Sequence, residues 1–174
     1  ECQAGDVVLI TGASGGVGSA AVQLCKRRGA TVIAMASRAK HDQMAGLGAD
    51  RLLDRGDDPV AVLGAQSVTL VVDLVAGDGF PGLIACLKRG GRYATSGAIG
   101  GPITTLDVRD LYLKDLTFVG STAQAPETMP NLISYIEAGE IKPMVSQTFP
   151  LSDITKAQEV FLQKTFVGKL VLLP

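Results

Sequence analysis

Runs of consecutive apolar residues recur along the chain, and short amphipathic segments separate them. The first run, Val7 to Ile10, is β-branched or aliphatic at every position, which is typical of a strand buried on both faces of a parallel sheet. The predicted strands are 7–10, 31–36, 49–54, 67–73, 92–96 and 116–120. Because helical segments alternate with these strands, the pattern predicts an α/β fold with a doubly wound parallel sheet of six strands.

The pattern changes after the sixth strand. An amphipathic helix is predicted at 126–138, a strand at 144–149, a helix from 152 or 153 to about 164, and a last strand at 168–173. We therefore expect a dinucleotide-binding domain of the Rossmann type over residues 1–140 and a C-terminal helix-strand extension over residues 141–174.

Four glycines fall within the seven positions 12–18, between the first strand and a helix predicted at 16–28. Glycine permits a tight turn and close approach of the backbone to a pyrophosphate, and the free N–H groups at the start of the helix favour that anion. The predicted cofactor contacts of this turn are Ala13, Ser14, Gly15, Gly16, Val17 and Gly18. We expect Gly16→Val or Gly18→Val to abolish nucleotide binding while the fold survives.

The end of the second strand indicates which dinucleotide binds. Sites for NAD usually place Asp or Glu about 20 residues after the glycine turn, whereas this chain has Ser37, followed by Arg38 and Lys40. A hydroxyl and two cations suit a 2′-phosphate, so the sequence predicts NADP(H). The alternative is that Arg38 and Lys40 open a solvated helix. His41, the one histidine, is interpreted as a surface residue rather than a ligand or a base.

The composition and the net charge limit the kinds of binding partner and the cellular compartment that we expect. A hydrophobic content of 47% predicts a substantial core, and a net charge of −1 gives no electrostatic reason to expect nucleic acid or a membrane surface. No apolar run approaches the roughly 20 residues that cross a bilayer. Cys2, Cys25 and Cys86 lack metal or disulfide spacing, so we interpret them as reduced cytosolic thiols and expect a cytoplasmic protein.

Three segments together carry a family resemblance: GASGGVG at 12–18, SGAIGGP with LYLKDLTFVGST at 96–122, and GKLVLLP at 168–174. They resemble the cofactor-binding domain of the medium-chain dehydrogenase/reductase superfamily, in its quinone oxidoreductase and zinc-type alcohol dehydrogenase-like branches. The resemblance implies an NADPH-dependent oxidoreductase that transfers hydride between the nicotinamide and a quinone, an activated alkene or a carbonyl or alcohol.

In that superfamily a catalytic domain precedes the nucleotide domain and carries most of the substrate pocket and any zinc ligands. The chain starts at Glu1 without methionine, five residues before a central strand, so we interpret it as a piece of a longer protein. We therefore expect the isolated chain to be inactive and to hold no zinc. Its catalytic residues stay unassigned, and zinc use by the longer protein stays open.

Further cofactor contacts are expected beyond the glycine turn. Arg55 follows the third strand where relatives place Tyr or Arg beside the adenosine phosphate, and an exposed loop arginine is the alternative. The other positions lie after the fourth, fifth and sixth strands or at the last helix: Val75, Ala76, Ser96, Gly97, Ala98, Gly120, Ser121 and Lys164. For Lys164 the alternative is a solvated lysine.

Two other functions compete with this interpretation. Residues 11–18 also satisfy the T-G-x-x-x-G-x-G pattern of short-chain dehydrogenases, which need a catalytic Tyr followed four residues later by Lys. Gly97, Leu116 and Gly139 stand at those positions after Tyr93, Tyr112 and Tyr135, so that class is set aside. A nucleotide-binding or sensing module without turnover stays as the alternative, because no acid, base or nucleophile cluster is present.

The sixth predicted strand, Leu116 to Gly120, would form an edge of the sheet. An apolar edge strand must be covered or paired, and in relatives this strand pairs with its mate across a dimer axis. We therefore expect a homodimer that acts on a small-molecule substrate. The alternative is that a loop or another domain covers this edge.

Overall fold

A computed structural model describes residues 1–174 and contains two parallel sheets. The larger sheet has the strand order β3-β2-β1-β4-β5-β6, which confirms the predicted doubly wound sheet. Its strands are β1 Val7–Ile10, β2 Thr31–Ala36, β3 Arg51–Asp54, β4 Val68–Asp73, β5 Leu87–Thr95 and β6 Thr117–Gly120. The smaller sheet pairs β7 Val145–Pro150 with β8 Lys169–Leu173.

The chain has seven α-helices: the first five lie between successive strands of the larger sheet, the sixth leads to the smaller sheet, and the seventh connects its two strands. They are α1 Gly16–Arg27, α2 His41–Gly46, α3 Pro59–Leu63, α4 Phe80–Cys86, α5 Val108–Leu113, α6 Thr128–Glu137 and α7 Ile154–Gln163. Turns of 3₁₀ helix precede three of them, at Arg38–Lys40, Gly77–Gly79 and Leu151–Asp153.

The continuous apolar pattern of β1 follows from burial on both faces. Val8 and Ile10 pack in one core cluster with α1 and α2, whereas Leu9 packs in a second cluster with α4. All three side chains are fully buried. Successive residues of a strand point to opposite faces, so a strand covered by helices on both sides must be apolar at every position.

Several element boundaries differ from the prediction, most by one or two residues and the start of the fifth strand by about five. The fifth strand begins at Leu87 rather than Arg92, because the fully buried Leu87 already pairs with Val68 of β4. The third strand starts at Arg51 rather than Ala49, since the Ala49 N–H still caps α2 by donating to the Met44 carbonyl (3.1 Å). None of these changes alters the strand order.

The C-terminal segment is tied to α1 and to the glycine turn. The Gln23 side chain exchanges two hydrogen bonds with the Lys142 backbone, at 2.8 and 3.0 Å. The Gly168 N–H donates to the Ser14 carbonyl at 3.0 Å, and Gly168 forms an isolated bridge with Gly15. Residues 141–174 therefore contribute to the surroundings of the predicted phosphate turn. The proposed domain boundary at residue 140 stays a prediction.

Strand β6 forms one edge of the larger sheet, as expected. Its outward edge has no partner strand within the chain, and Val119 is 48% exposed there.

No helix of the structure combines the length and the apolar character that crossing a membrane requires.

Candidate functional site

A cavity of about 860 Å³ opens at the carboxyl ends of β1, β2 and β4, between the larger sheet and the C-terminal helix and strands. Parallel sheets of this topology bind ligands at this end. The structure brings the following predicted site residues to its lining: Ser14, Gly15, Gly16, Val17, Gly18, Ser37, Lys40, Arg55, Val75, Ala76 and Lys164.

The glycine turn forms the floor of the cavity. Gly12 adopts a left-handed conformation (φ 58°), and the Gly15 N–H closes the turn by donating to the Gly12 carbonyl at 3.0 Å. No side chain caps α1, and its first turn holds no acidic residue. The first N–H groups of a helix have no partner within the helix, so this end offers donors and a positive dipole to an anion.

A side chain at Gly16 and a side chain at Gly18 would meet different neighbours. A Cβ at Gly18 would lie 2.6 Å from the Ala13 Cα and 2.8 Å from the Ala13 carbonyl carbon, so it would collide with backbone. The three atoms nearest to a Cβ at Gly16 all belong to the side chain of Lys169. Ala13 is fully buried within the turn and does not line the cavity, so its cofactor contact stays a prediction.

Lys169 is the residue that sequence reasoning missed. It is the first residue of β8, and its Nζ lies 2.8 Å from the Cβ position of a side chain at Gly16. The side chain therefore places a cation directly over the glycine turn. The ending GKLVLLP was noted as a family resemblance, but no local pattern links this lysine to a turn more than a hundred residues earlier in the chain.

A second group of cations lines the other end of the cavity, beyond β2 and β3. The Lys40 Nζ donates to the Lys164 carbonyl at 2.7 Å. Burial and, secondarily, the Arg55 charge lower the pKa of Lys40 below its ordinary value. Lys164 takes a left-handed conformation (φ 53°), and its Nζ lies 3.2 Å from the centroid of the Phe161 ring.

Arg38 does not join this group. Its side chain is 84% exposed, and its Nε lies 3.8 Å from Asp54 Oδ2. Residues 38–40 form a single turn of 3₁₀ helix, in which residues two apart point in different directions. The predicted pair of cations is therefore split: Lys40 faces the cavity with Arg55, whereas Arg38 faces solvent.

A buried carboxylate fixes the wall of the cavity after β4. Asp73 is fully buried, and its Oδ1 accepts hydrogen bonds from Thr11 Oγ1 (2.6 Å) and from the N–H groups of Val75 and Ala76 (3.0 Å each). Tyr93 donates to the other oxygen at 2.7 Å. Burial, and next the hydrogen bond to Asp73, raise the pKa of Tyr93.

This carboxylate holds a strained backbone segment in place. Ala76 has φ 58° and ψ −148°, a conformation that residues with a side chain rarely adopt. The Gly100 N–H donates to the Val75 carbonyl at 2.7 Å, so the loop after β5 packs against the same segment from outside. These hydrogen bonds hold the backbone of Val75 and Ala76, which line the cavity, in one conformation.

The remaining predicted residues do not reach the cavity. In the loop after β5, Ile99 lines the cavity, whereas the predicted residues 96–98 do not. Gly120 and Ser121 are exposed at the end of the edge strand β6, where the Ser121 N–H donates to the Thr95 carbonyl at 2.9 Å. The predicted residues outside the lining are Ala13, Arg38, Ser96, Gly97, Ala98, Gly120 and Ser121.

Comparison with known proteins matches residues 16–138 to the zinc-binding dehydrogenase family model. The chain is 31% identical to the acryloyl-coenzyme A reductase of Sulfurisphaera tokodaii, across 98% of this chain and 51% of that protein. Quinone oxidoreductases and NAD-dependent alcohol dehydrogenases are also among the curated relatives. The chain spans about half the length of the curated relatives it matches.

Solved structures show the same likeness. A candidate alcohol dehydrogenase from Sinorhizobium meliloti superposes with a TM-score of 0.92 at 45% identity, over 99% of this chain and 49% of that one. The 2-octenoyl-CoA carboxylase reductase CinF, in complex with NADP and 2-octenoyl-CoA, superposes with a TM-score of 0.87 at 28% identity, over 98% of this chain and 44% of that one.

The matched family is described as zinc-binding. Zinc sites in proteins use three or four His, Cys or carboxylate ligands. The structure brings no group of three or more such residues together, and the His41 Nε2 is engaged with two backbone carbonyls. The residues of this chain do not form a zinc site, and no chemical step is assigned to a metal here.

Proposed function

The chain belongs to the zinc-binding dehydrogenase family of the medium-chain dehydrogenase/reductase superfamily, and from that premise we propose that it is the NADP(H)-binding domain of an oxidoreductase. Its relatives are oxidoreductases that use NAD or NADP. The observation that carries the proposal is one cavity with an uncapped helix and Lys169 at its floor and a group of cations at one end.

The floor of the cavity suits the pyrophosphate that both dinucleotides share. Gly18 lets α1 pack closely against the turn, and the space above Gly16 holds a flexible lysine side chain. The first N–H groups of α1 supply donors without competition from a capping side chain. Lys169 adds a mobile positive charge above them. These residues would hold the pyrophosphate of either NADH or NADPH.

The cation group favours NADPH over NADH. Ser37 occupies the position at which a carboxylate would bind the ribose of NAD, and Lys40 and Arg55 line the cavity nearby. The partly desolvated ammonium of Lys40 gains most from an anionic partner, because burial has already removed part of its water. Asp57 also lines this end, but its Oδ2 accepts a hydrogen bond from the Asp54 N–H at 2.8 Å.

When bound, the nicotinamide supplies or accepts a hydride. The share of this chain is to position the ring and exclude water. The wall formed by Val75 and Ala76, held by Asp73, and the apolar residues Leu83 and Ile99 support that role. We propose an activated alkene such as an enoyl thioester as the first substrate class, since relatives named for acryloyl-CoA and octenoyl-CoA match the chain. Quinones and carbonyl compounds are the other substrate classes that we propose.

We also propose that the longer protein is a cytoplasmic homodimer. Three free cysteines support a reducing compartment. The unpaired edge of β6 with the exposed Val119 supports association through this strand. The isolated chain is proposed to bind cofactor without turnover, because the cavity is lined by no histidine or cysteine and its buried carboxylate, Asp73, is fully engaged.

Calorimetric titration of the chain with NADPH and then NADH, at one salt concentration, tests the cofactor choice. We expect tighter binding of NADPH. Lys40→Ala should weaken NADPH about tenfold or more, the size of one charge-assisted hydrogen bond, and leave NADH nearly unchanged. Arg38→Ala is the matched control because its side chain faces solvent. Tighter binding of NADH, or equal losses from both variants, would contradict the proposal.

A nucleotide-binding module without turnover is the second candidate. The observation in its favour is the same: no histidine or cysteine lines the cavity, and the buried Asp73 is fully engaged. The two functions separate in the longer protein: oxidation of NADPH with crotonyl-CoA or a benzoquinone supports the enzyme. Tight NADPH binding without oxidation by any of the proposed substrate classes supports the module.

A further inference from the structure

His41 lies between the two strands from which the cations of the candidate site emerge. Its Nε2 is 3.2 Å from the Ala36 carbonyl oxygen and 3.2 Å from the Leu53 carbonyl oxygen. Carbonyl oxygens only accept, so Nε2 carries a hydrogen that both share. Ala36 is the last residue of β2, and Leu53 is the last but one of β3. The ring therefore joins the carboxyl ends of these two strands.

The Ala36 carbonyl stands immediately before Ser37, which faces the cavity, and the Leu53 carbonyl stands two residues before Arg55. The turn that carries Lys40 follows Ser37, and Lys40 directly precedes His41. Arg55 follows β3, and its N–H donates to the same Ala36 carbonyl at 3.1 Å. The Ala36 carbonyl oxygen thus accepts hydrogen bonds from both the His41 ring and the Arg55 backbone.

The sheet alone holds this end weakly. Strand β3 has four residues, lies at the edge of the sheet and pairs only with β2. The last pair of the ladder is Ala36 with Asp54. Beyond that pair, Asp54 accepts a hydrogen bond from the Arg38 N–H at 3.1 Å, and His41 supplies a further side-chain bond between the two segments. Without it, the segments that carry Lys40 and Arg55 would separate more easily.

We propose that His41 is a positioning residue that sets the spacing of Lys40 and Arg55 for the 2′-phosphate of NADP(H). His41 does not line the cavity, so it acts through its neighbours and not by touching the cofactor. The inference rests on the proposed function, because it assumes that the two cations bind that phosphate. It turns the one histidine of the chain from a surface residue into a determinant of cofactor selectivity.

The test compares two amides that differ by one methylene. Glutamine places its side-chain nitrogen near the position of the histidine Nε2, whereas asparagine places it near Nδ1, one bond too short to reach the two carbonyls. The probes are adenosine 2′,5′-bisphosphate and adenosine 5′-monophosphate, which differ only by the 2′-phosphate. Both are titrated into the wild-type chain, His41→Gln and His41→Asn by calorimetry, and circular dichroism checks the fold.

We expect wild type and His41→Gln to prefer the bisphosphate. We expect His41→Asn to lose about tenfold of that preference while its affinity for the monophosphate stays the same. Full preference in His41→Asn, or equal losses for both probes, would overturn the positioning role. Wild type that does not prefer the bisphosphate would contradict the choice of NADP(H) and the inference together, so the two failures are distinguishable.

Discussion

Lys169 lies directly over Gly16, and its Nζ is 2.8 Å from the point that a Cβ of residue 16 would occupy. The C-terminal strand thus delivers a cation to the start of α1, where the helix dipole and free N–H groups already attract an anion. A positive side chain and a positive helix end repel each other in the free protein. A bound pyrophosphate would relieve that repulsion, so the arrangement favours an anionic ligand at this point.

Alanine at Gly16 and alanine at Gly18 should have different effects. A Cβ at Gly18 meets the backbone of Ala13, which cannot move without distorting the turn, so we expect Gly18→Ala to cost about 1–3 kcal/mol of stability. The atoms nearest to a Cβ at Gly16 belong to the flexible side chain of Lys169, so Gly16→Ala should keep near wild-type stability and lose nucleotide affinity. The geometry thus separates the two positions, whereas the sequence alone predicted that the fold survives substitution at either glycine.

Urea denaturation and NADPH titration of both variants measure these effects. Gly16→Ala serves as the matched control for Gly18→Ala, since both add one methyl group to the same turn. Equal stability of the two variants would mean that the turn relaxes around the new side chain.

Lys169→Met should weaken NADPH and NADH to the same extent. The pyrophosphate is common to both dinucleotides, so the loss of a cation above the glycine turn cannot discriminate between them. We expect about a tenfold loss of affinity for each. Lys169→Arg keeps the charge and is the control. Calorimetry with both dinucleotides measures the change, and a loss confined to NADPH would place Lys169 at the 2′-phosphate instead.

Local patterns in the sequence predicted the strands and the glycine turn, because each depends on a few consecutive residues. The apolar run of β1 and the spacing of Gly12 to Gly18 are of this kind. Side-chain direction was less accessible: Arg38 and Lys40 are two residues apart in a 3₁₀ turn, and only Lys40 faces the cavity. No local pattern could place Lys169 over Gly16, since that contact forms only when the chain has folded.

The buried carboxylate after β4 illustrates the same limit. Asp73 was predicted only as the end of a strand, yet it accepts hydrogen bonds from the residue after β1, from β5 and from the segment after β4. Thr11 and Tyr93 lie far from it in the sequence. Sequence reasoning could name the residues at the carboxyl ends of strands, whereas the hydrogen bonds among them depend on the register of the sheet.

Tyr93→Phe isolates the contribution of one of these hydrogen bonds. The variant keeps the edge-to-face packing against Phe80, whose ring centroid lies 5.2 Å away, and removes only the donor to Asp73. Because a hydrogen bond to a buried charged group is lost, we expect a cost of about 1.5–3 kcal/mol in the free energy of unfolding. Urea denaturation measures it. Unchanged stability would show that Thr11 and the backbone N–H groups satisfy Asp73 without the phenol.

Asp6 should make stability depend on acid pH. Burial acts to raise its pKa, but hydrogen bonds from Arg92, the Gln3 N–H and Thr69 together hold the pKa below the ordinary value of 3.8. The folded state therefore binds this proton less readily than the unfolded state. The contribution of Asp6 is present above the unfolded pKa and is lost as the pH falls through the folded pKa.

Asp6→Asn should remove this dependence. We expect the stability difference between wild type and the variant to be about 2 kcal/mol at neutral pH and to shrink as the pH falls below the ordinary carboxyl range. Asp78→Asn is the control, because Asp78 is exposed. Urea denaturation across the acid range measures both variants. A difference that stays constant with pH would assign the effect to packing rather than to the charge.

Lys40 should make NADPH binding depend on alkaline pH. Burial and the Arg55 charge lower the pKa of Lys40 in the free protein, and a bound 2′-phosphate would raise it by favouring the charged form. Below the lowered pKa the lysine is already charged, so pH has little effect. As the pH rises through that pKa, binding must take up a proton and NADPH affinity falls, at a lower pH than the ordinary lysine value of 10.5 implies. The affinity for NADH should not fall over the same pH range. Lys40→Arg should abolish the pH dependence of NADPH binding, because arginine stays charged. Calorimetry from neutral into alkaline pH measures it, and a parallel fall in NADH affinity would assign the titration to the pyrophosphate end.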